Sequence, residues 1–149
     1  MYCRYDFPVG PLWIAEENGA VTQITNQPPS GEYGENEVLR QTVSELTEYF
    51  SGIRKTFTVP LAPKGTAFQL KVWAALRDIP YGETRSYGEI AAAVGNPNAS
   101  RAVGGANNKN PILILTPCHR VIGANGALTG FAAGLLVKEA LLQLEKEHK

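Results

Sequence analysis

The residues of this 149-residue chain best suited to covalent chemistry fall together at Pro117-Cys118-His119-Arg120-Val121, where a thiol, an imidazole and a guanidinium are consecutive. A free thiol titrates near about 8.5 and becomes a nucleophilic thiolate at neutral pH only beside a positive or hydrogen-bonding neighbour. His119 and Arg120 are both candidates for that neighbour. Successive residues of an extended segment point to opposite faces, so a direct His119-to-Cys118 contact is not guaranteed and a bridging water is the alternative. The preceding run, Pro111-Ile-Leu-Ile-Leu-Thr116, reads as a fully buried strand that would hold the thiol rigidly. Taken alone, a cysteine is more often one more small buried hydrophobe.

Other chemistries find less material. Cys3 and Cys118 are the only cysteines, and the start, Met1-Tyr-Cys-Arg-Tyr-Asp6, has no basic region leading into an apolar stretch. Two free thiols are therefore expected, in a cytoplasmic protein, or a nuclear one if the source is eukaryotic. The only histidines are His119 and His148, too few at workable spacing for a zinc site, so no metal and no cofactor are expected. No apolar run is long enough to cross a bilayer, and no membrane partner is expected.

The elements that must position Cys118 can be read in outline. Met1–Tyr5, Pro11–Glu16 and Ala20–Ile24 read as strands, the last two joined by Asn18-Gly19, a pair that tolerates the positive φ angles of a type I′ turn. Gln27–Gly34 is a loop. From Asn36 to Phe50 the apolar positions Val38, Val43, Leu46, Tyr49 and Phe50 keep helical spacing, with Gly52 where a helix ends. Val59-Pro-Leu-Ala-Pro-Lys-Gly65 punctuates the chain. Beyond it, Thr66-Ala-Phe-Gln69 is a capping box opening a helix with Phe68, Val72, Trp73 and Leu76 on one face. Ser86-Tyr-Gly-Glu89 is a second box, opening a short helix from Tyr87 to Val94. A third helix starts near Asn98–Ser100 and runs to about Asn108. The expected fold is α/β of the α+β kind, with a small N-terminal sheet-plus-helix domain over residues 1–63. A mainly helical C-terminal domain with a helix-turn-helix would occupy residues 64–149.

Net charge is zero, which argues against bulk electrostatic binding of a polyanion. The average conceals an asymmetry: residues 1–63 carry four bases against eight acids, and residues 64–149 carry ten bases against six. A polyanionic partner would meet the second half. The last of the three helices, Arg101-Ala-Val-Gly-Gly-Ala106, has almost no side-chain bulk. Glycine costs roughly 1 kcal/mol inside a helix, so a close backbone approach is the usual compensation.

Pro117-Cys-His-Arg-Val121, preceded by Arg101-Ala-Val-Gly-Gly-Ala106 and Asn110-Pro111 and followed by Asn125-Gly126, Gly130-Phe131 and Lys138-Glu139, closely resembles the O6-alkylguanine-DNA alkyltransferases. The match runs ungapped from about Phe68 to Glu145. The resemblance implies a suicidal repair reaction in which Cys118 accepts an alkyl group from the O6 of guanine. It makes His119 a base acting through water, Glu145 the carboxylate orienting it, Asn110 a brace for the turn around Cys118, and Tyr87 a proton donor toward the guanine. It implies duplex DNA as partner to a monomer, with a flipped base, Arg101 in its place, and a smooth helix (Ala102, Gly104, Gly105, Ala106) in the minor groove. Ser86 and Arg120 would join this DNA surface, and little sequence specificity would follow. Val121, Phe131 and Ala132 would line the base pocket.

Phe131 replaces a commoner tyrosine, Ala132 stands where many relatives carry serine, and Ala140 where tryptophan is common; the second of these removes a polar contact to the base unless backbone groups such as those of Val121 replace it. Three rival readings exist. A lesion-binding relative without an acceptor is opposed by Cys118 itself. A helix-turn-helix regulator fits the near-neutral charge and bulk-free helix poorly. A cysteine hydrolase would need an oxyanion hole that no motif supplies.

Overall fold

The computed structural model describes residues 1–126 and 134–149, and the chain divides into two compact units. The first holds Met1–Lys64 together with Pro111–Leu113 and His148. Its strands β1 (Tyr2–Phe7), β2 (Gly10–Glu17) and β3 (Ala20–Thr25) form an antiparallel sheet in the order β1-β2-β3. Asn18 and Gly19 take φ of 52° and 82°, as the turn between β2 and β3 requires. Helix α1 (Glu37–Phe50) is capped by Asn36, whose side chain accepts from the Leu39 amide, and Gly52 follows at φ 77°. Leu39, Leu46 and Tyr49 on α1 and Ile14, Val21 and Ile24 on the sheet are fully buried, forming this unit's core. Val43 and Phe50, expected inward, are only half-buried, while Glu45 is buried and accepts from the Thr58 amide at 2.8 Å.

The second unit holds Gly65–Asn110, Ile114–Glu147 and Lys149. Helix α2 (Ala67–Arg77) opens with the complete Thr66/Gln69 capping box, and α3 (Tyr87–Ala93) with the complete Ser86/Glu89 box. Helix α4 spans Ser100–Asn108 and α5 spans Leu135–Glu147. Val103, Ala106 and Asn107 are the buried stripe of α4, and Trp73 Nε1 on α2 donates to the Ala106 carbonyl at 2.9 Å. A Cβ on Gly65 would lie 2.6 Å from the Trp73 ring, so only glycine fits there. A two-residue parallel pairing joins β4 (Arg85–Ser86) to β5 (Val121–Ile122). The protein is thus a mixed α+β fold. Among the described residues, no helix is long and apolar enough to cross a membrane.

The expected strand over Pro111–Thr116 is corrected by the structure. The segment is buried, but only Ile112 makes a bridge, beside Ile24, through Ile24 N to Pro111 O (2.8 Å) and Leu113 N to Ile24 O (3.0 Å). The chain then turns through Ile114 at φ 71°, a strained value for a β-branched residue. An apolar run of this length does not distinguish strand from buried turn; what decides is where its backbone groups find partners. Here Asn110 Nδ2 takes the Thr116 carbonyl at 2.7 Å, a bond that no continuing strand would leave to a side chain.

Candidate active site

Pro117 caps a single 3-10 turn, Cys118–Arg120, closed by the amide of Val121 donating to the Cys118 carbonyl. The Cys118 amide donates to Thr116 O at 2.8 Å and the Arg120 amide to Pro117 O at 3.0 Å. The extended geometry expected here is therefore replaced by a helical one, in which successive side chains diverge by about 120°. Cys118 is 1% exposed, and both cysteines are free thiols. Desolvation pushes the Cys118 thiol up to about 11, against the opposing pull of a hydrogen bond from Asn110 and the charge of Lys138.

His119 and Glu145 are completely buried, and His119 Nε2 lies 2.6 Å from Glu145 Oε2. An ionised carboxylate only accepts, so Nε2 carries the proton and Nδ1 keeps its lone pair. That Nδ1 is buried and has no hydrogen-bond partner among the described residues. Desolvation lowers the His119 pKa more than the Glu145 hydrogen bond and charge raise it, which leaves a neutral imidazole able to accept a proton. Glu145 also accepts from Arg120 Nε at 2.8 Å, Arg120 Nη2 at 3.0 Å and the Gly82 amide at 3.1 Å. Burial would raise its carboxyl, but the hydrogen bonds and charges of His119 and Arg120 outweigh it and hold it well below the usual carboxylate range.

Two residues expected at a DNA surface lie elsewhere. Arg120 is only 6% exposed, spends its guanidinium on Glu145 and on the Ile79 carbonyl (2.7 Å), and faces the Tyr81 ring. A guanidinium so engaged braces the site instead of reaching a phosphate. Ala106 is 4% exposed and faces inward, because it shares a helix stripe with Val103. Arg101, Ala102 and Gly105 of α4 are exposed, and Gly104 is half-buried. Tyr87 is the first residue of α3, half-buried, with its ring beside Gly104: a Cβ there would sit 3.8 Å from Tyr87 Cε1. Ser86 serves as the N-cap, its hydroxyl accepting from the Glu89 amide at 3.1 Å. Val121 closes the 3-10 turn and is buried. Phe131 and Ala132 lie outside the described residues.

Two participants had no role assigned from sequence. Asn107, 1% exposed, donates from Nδ2 to the Cys118 carbonyl at 3.4 Å. Lys138, fully buried, donates from Nζ to the Val121 carbonyl at 2.6 Å. Their signal was spacing: Asn107 lies four residues beyond Val103, and Lys138, Leu141 and Glu145 form a single buried stripe of α5.

The second unit thus sets two capped helices and a helix of small residues in one unit with a buried thiol, and beside that thiol an imidazole oriented by a carboxylate, an arrangement suited to thiol chemistry. The chain matches the family described as 6-O-methylguanine DNA methyltransferase, its DNA-binding domain over residues 67–147 and its ribonuclease-like domain over residues 1–63. It is 50% identical to a methylated-DNA–protein-cysteine methyltransferase of Methanosarcina acetivorans, covering 97% of each chain. It is 47% identical to the constitutive methylated-DNA–protein-cysteine methyltransferase of Bacillus subtilis, covering 97% of this chain and 94% of that one. The crystal structure of Mycobacterium tuberculosis OGT in complex with DNA superposes with a TM-score of 0.92 at 47% identity, over 99% of this chain and 93% of that one. The chain belongs to the 6-O-methylguanine DNA methyltransferase family.

Proposed function

We propose that this chain is a methylated-DNA–protein-cysteine methyltransferase that repairs DNA by direct reversal, using Cys118 once. The Cys118 sulfur attacks the alkyl carbon on O6 of guanine; a C–S bond forms, the C–O bond breaks, and the base leaves with the electron pair. The thiol proton passes through a water to His119 Nδ1, with Glu145 stabilising the imidazolium. Tyr87 protonates the departing guanine and is reprotonated from solvent. The observation that supports this reading is the buried Cys118–His119–Glu145 set, in which Glu145 fixes the His119 tautomer while burial keeps the ring neutral. Asn110 braces the turn. The product thioether is not cleaved, so the reaction is stoichiometric and irreversible.

The reacting atom lies inside a base pair, so the nucleotide is flipped out of the duplex toward Cys118 before chemistry. Arg101, exposed at the start of α4, fills the vacated stack. Ala102, Gly104 and Gly105 let α4 lie in the minor groove, where readout is degenerate and sequence specificity slight. Gly105 supports this placement: a Cβ there meets nothing within 4 Å, so nothing described inside the protein requires a glycine. The chain acts as a cytoplasmic monomer. Residues 64–149 carry the chemistry and the DNA contacts, and residues 1–63 form a separate domain.

Two substitutions test the DNA face. Arg101→Ala is expected to slow transfer from a methylated duplex by roughly tenfold or more, since the finger offsets part of the few kcal/mol that unstacking costs; binding should change less. Equal duplex transfer rates for both proteins would remove the finger assignment. Gly105→Leu should keep or raise the melting temperature, because leucine is the better helix former, while weakening duplex binding at least tenfold. Unchanged affinity in a fluorescence titration would take α4 off the DNA.

The overall reading is tested by intact-protein mass spectrometry with peptide mapping, after incubation with a duplex containing one O6-methylguanine. One added methyl on the Cys118 peptide, with no second turnover, is the expected result. An unmodified protein that binds the lesion would replace the reading with a lesion sensor.

A further inference from the structure

Two buried acceptor atoms beside Cys118 have no hydrogen-bond partner among the described residues: His119 Nδ1 and Asn107 Oδ1. Asn107 is 1% exposed and His119 has no exposed surface, so bulk solvent satisfies neither. A buried acceptor without a donor is costly and rare in folded proteins. Which atom of the Asn107 carboxamide is the acceptor follows from its other contact. The Cys118 carbonyl, 3.4 Å away, can only accept, so the group directed at it is the NH2, and Oδ1 is left to another donor. At the imidazole, Nε2 is spent on Glu145 at 2.6 Å, which leaves Nδ1 as the acceptor. Burial keeps that ring neutral against the pull of Glu145.

The two acceptors flank one peptide group. Asn107 Nδ2 is 3.4 Å from Cys118 O, and the rigid carboxamide holds Oδ1 within about 6 Å of the same oxygen. His119, joined covalently to that carbonyl, carries the other. One water has two hydrogens to give, and its oxygen still accepts a third bond; buried waters make about three such bonds. We infer that Asn107 and His119 together hold the water of the proton relay, one hydrogen on Asn107 Oδ1 and the other on His119 Nδ1, with a lone pair left toward the Cys118 thiol. This rests on the reading of Cys118 as the acceptor. The proton count balances. As the C–S bond forms and the C–O bond breaks, the thiol proton passes to the water oxygen while the hydrogen on His119 Nδ1 passes to the imidazole. The water ends as water, and the hydrogen held by Asn107 never moves. Asn107 is therefore a positioning residue: its oxygen stops the water from turning, so that the mobile hydrogen faces His119. An Asn107 that merely braced the turn would act through Nδ2 and leave Oδ1 out of the reaction.

The direct test is a crystal structure of the whole chain in which buried solvent is ordered. One water within hydrogen-bond distance of both Asn107 Oδ1 and His119 Nδ1 is the expected result. A water on His119 Nδ1 alone, or none on either atom, would overturn the inference. The kinetic test is Asn107→Leu, which keeps the branching at Cγ and removes both polar atoms. Single-turnover transfer from a duplex with one O6-methylguanine should fall about tenfold near about pH 7, part of what general-base catalysis contributes, with duplex affinity held. The deficit should shrink to about twofold or less near about pH 9.5, where a larger thiolate fraction forms without the relay. An equal deficit at both pH values is the mark of a misplaced sulfur and would overturn the inference, as would an unchanged rate. Should Asn107→Leu fail to fold by circular dichroism, the wild-type crystal structure decides alone. A water on both atoms in a protein that takes no methyl from DNA would sink the proposed repair function and leave the water site standing.

Discussion

Cys118→Ala is expected to abolish methyl uptake from a duplex carrying O6-methylguanine while leaving duplex binding within about twofold of wild type. On the proposed reading the loss should be total: His119 Nδ1 would act as the base, the Glu145 oxygens accept from His119, Arg120 and the Gly82 amide, and the Asn110 amide is no nucleophile. Cys3 belongs to the other unit, on β1. Binding should survive because Cys118 is 1% exposed and offers DNA no surface. The fold should tolerate the change, since removing one buried sulfur costs on the order of 1–2 kcal/mol. The check pairs peptide mapping with an affinity measurement. Methyl uptake by the Ala variant would place the acceptor elsewhere; loss of binding as well would make the thiol a structural residue.

Glu145→Gln is the substitution expected to cost the most stability. The carboxylate is fully buried and holds His119, Arg120 and the Gly82 amide. Gln keeps the size but not the charge, and takes from the buried Arg120 guanidinium the carboxylate it is paired with. Breaking a buried pair in this way costs about 3–5 kcal/mol, a large share of the 5–15 kcal/mol typical of a domain. Urea unfolding of the whole chain should show it as a lower midpoint, and transfer should fall by about a hundredfold because His119 loses its orienting acceptor.

The pH dependence has a definite sign. The Glu145 pKa is depressed in the fold, so its contribution is present above the unfolded value of about 4.3 and is lost as pH falls through the folded one. His119 is also depressed, chiefly by desolvation, so below about 6.5 the unfolded chain takes a proton that the folded chain refuses, and stability falls there too. Wild-type stability should thus decline in two stages on acidification. Glu145→Gln should make the lower stage shallower, leaving the part due to Glu45, whose carboxyl burial would raise but its Thr58 and Gln41 hydrogen bonds hold down; an unchanged acid limb would mean that Glu145 is not the anionic centre of the site.

Local chemistry was legible wherever a short segment decides its own conformation. Asn18-Gly19 forms its turn, Asn36 and the Thr66/Gln69 and Ser86/Glu89 pairs cap their helices, and Gly52 follows α1, because each depends on bonds within a few residues. The α+β class followed from these. His119, Asn110 and Glu145 were also singled out from the sequence, through the order of their motifs, whereas Asn107 and Lys138 had no role assigned. Pro111–Thr116 was misread because its strand-like run ends in a turn held by Asn110 and by Ile24, partners that no local pattern announces.

Most of the elements, their caps and the family were thus legible in neighbouring side chains, and the motif around Cys118 marked that thiol as the candidate acceptor. What only tertiary structure decided is where charge resides. Arg120, which the resemblance placed on the DNA surface, is turned inward onto a glutamate 25 residues away. Lys138 and Glu145 look like ordinary charges of a helix near the end of the chain, and both are completely buried. The reason is physical: a buried charge is tolerated only where partners from distant segments converge on it, and that convergence exists only once the chain has folded.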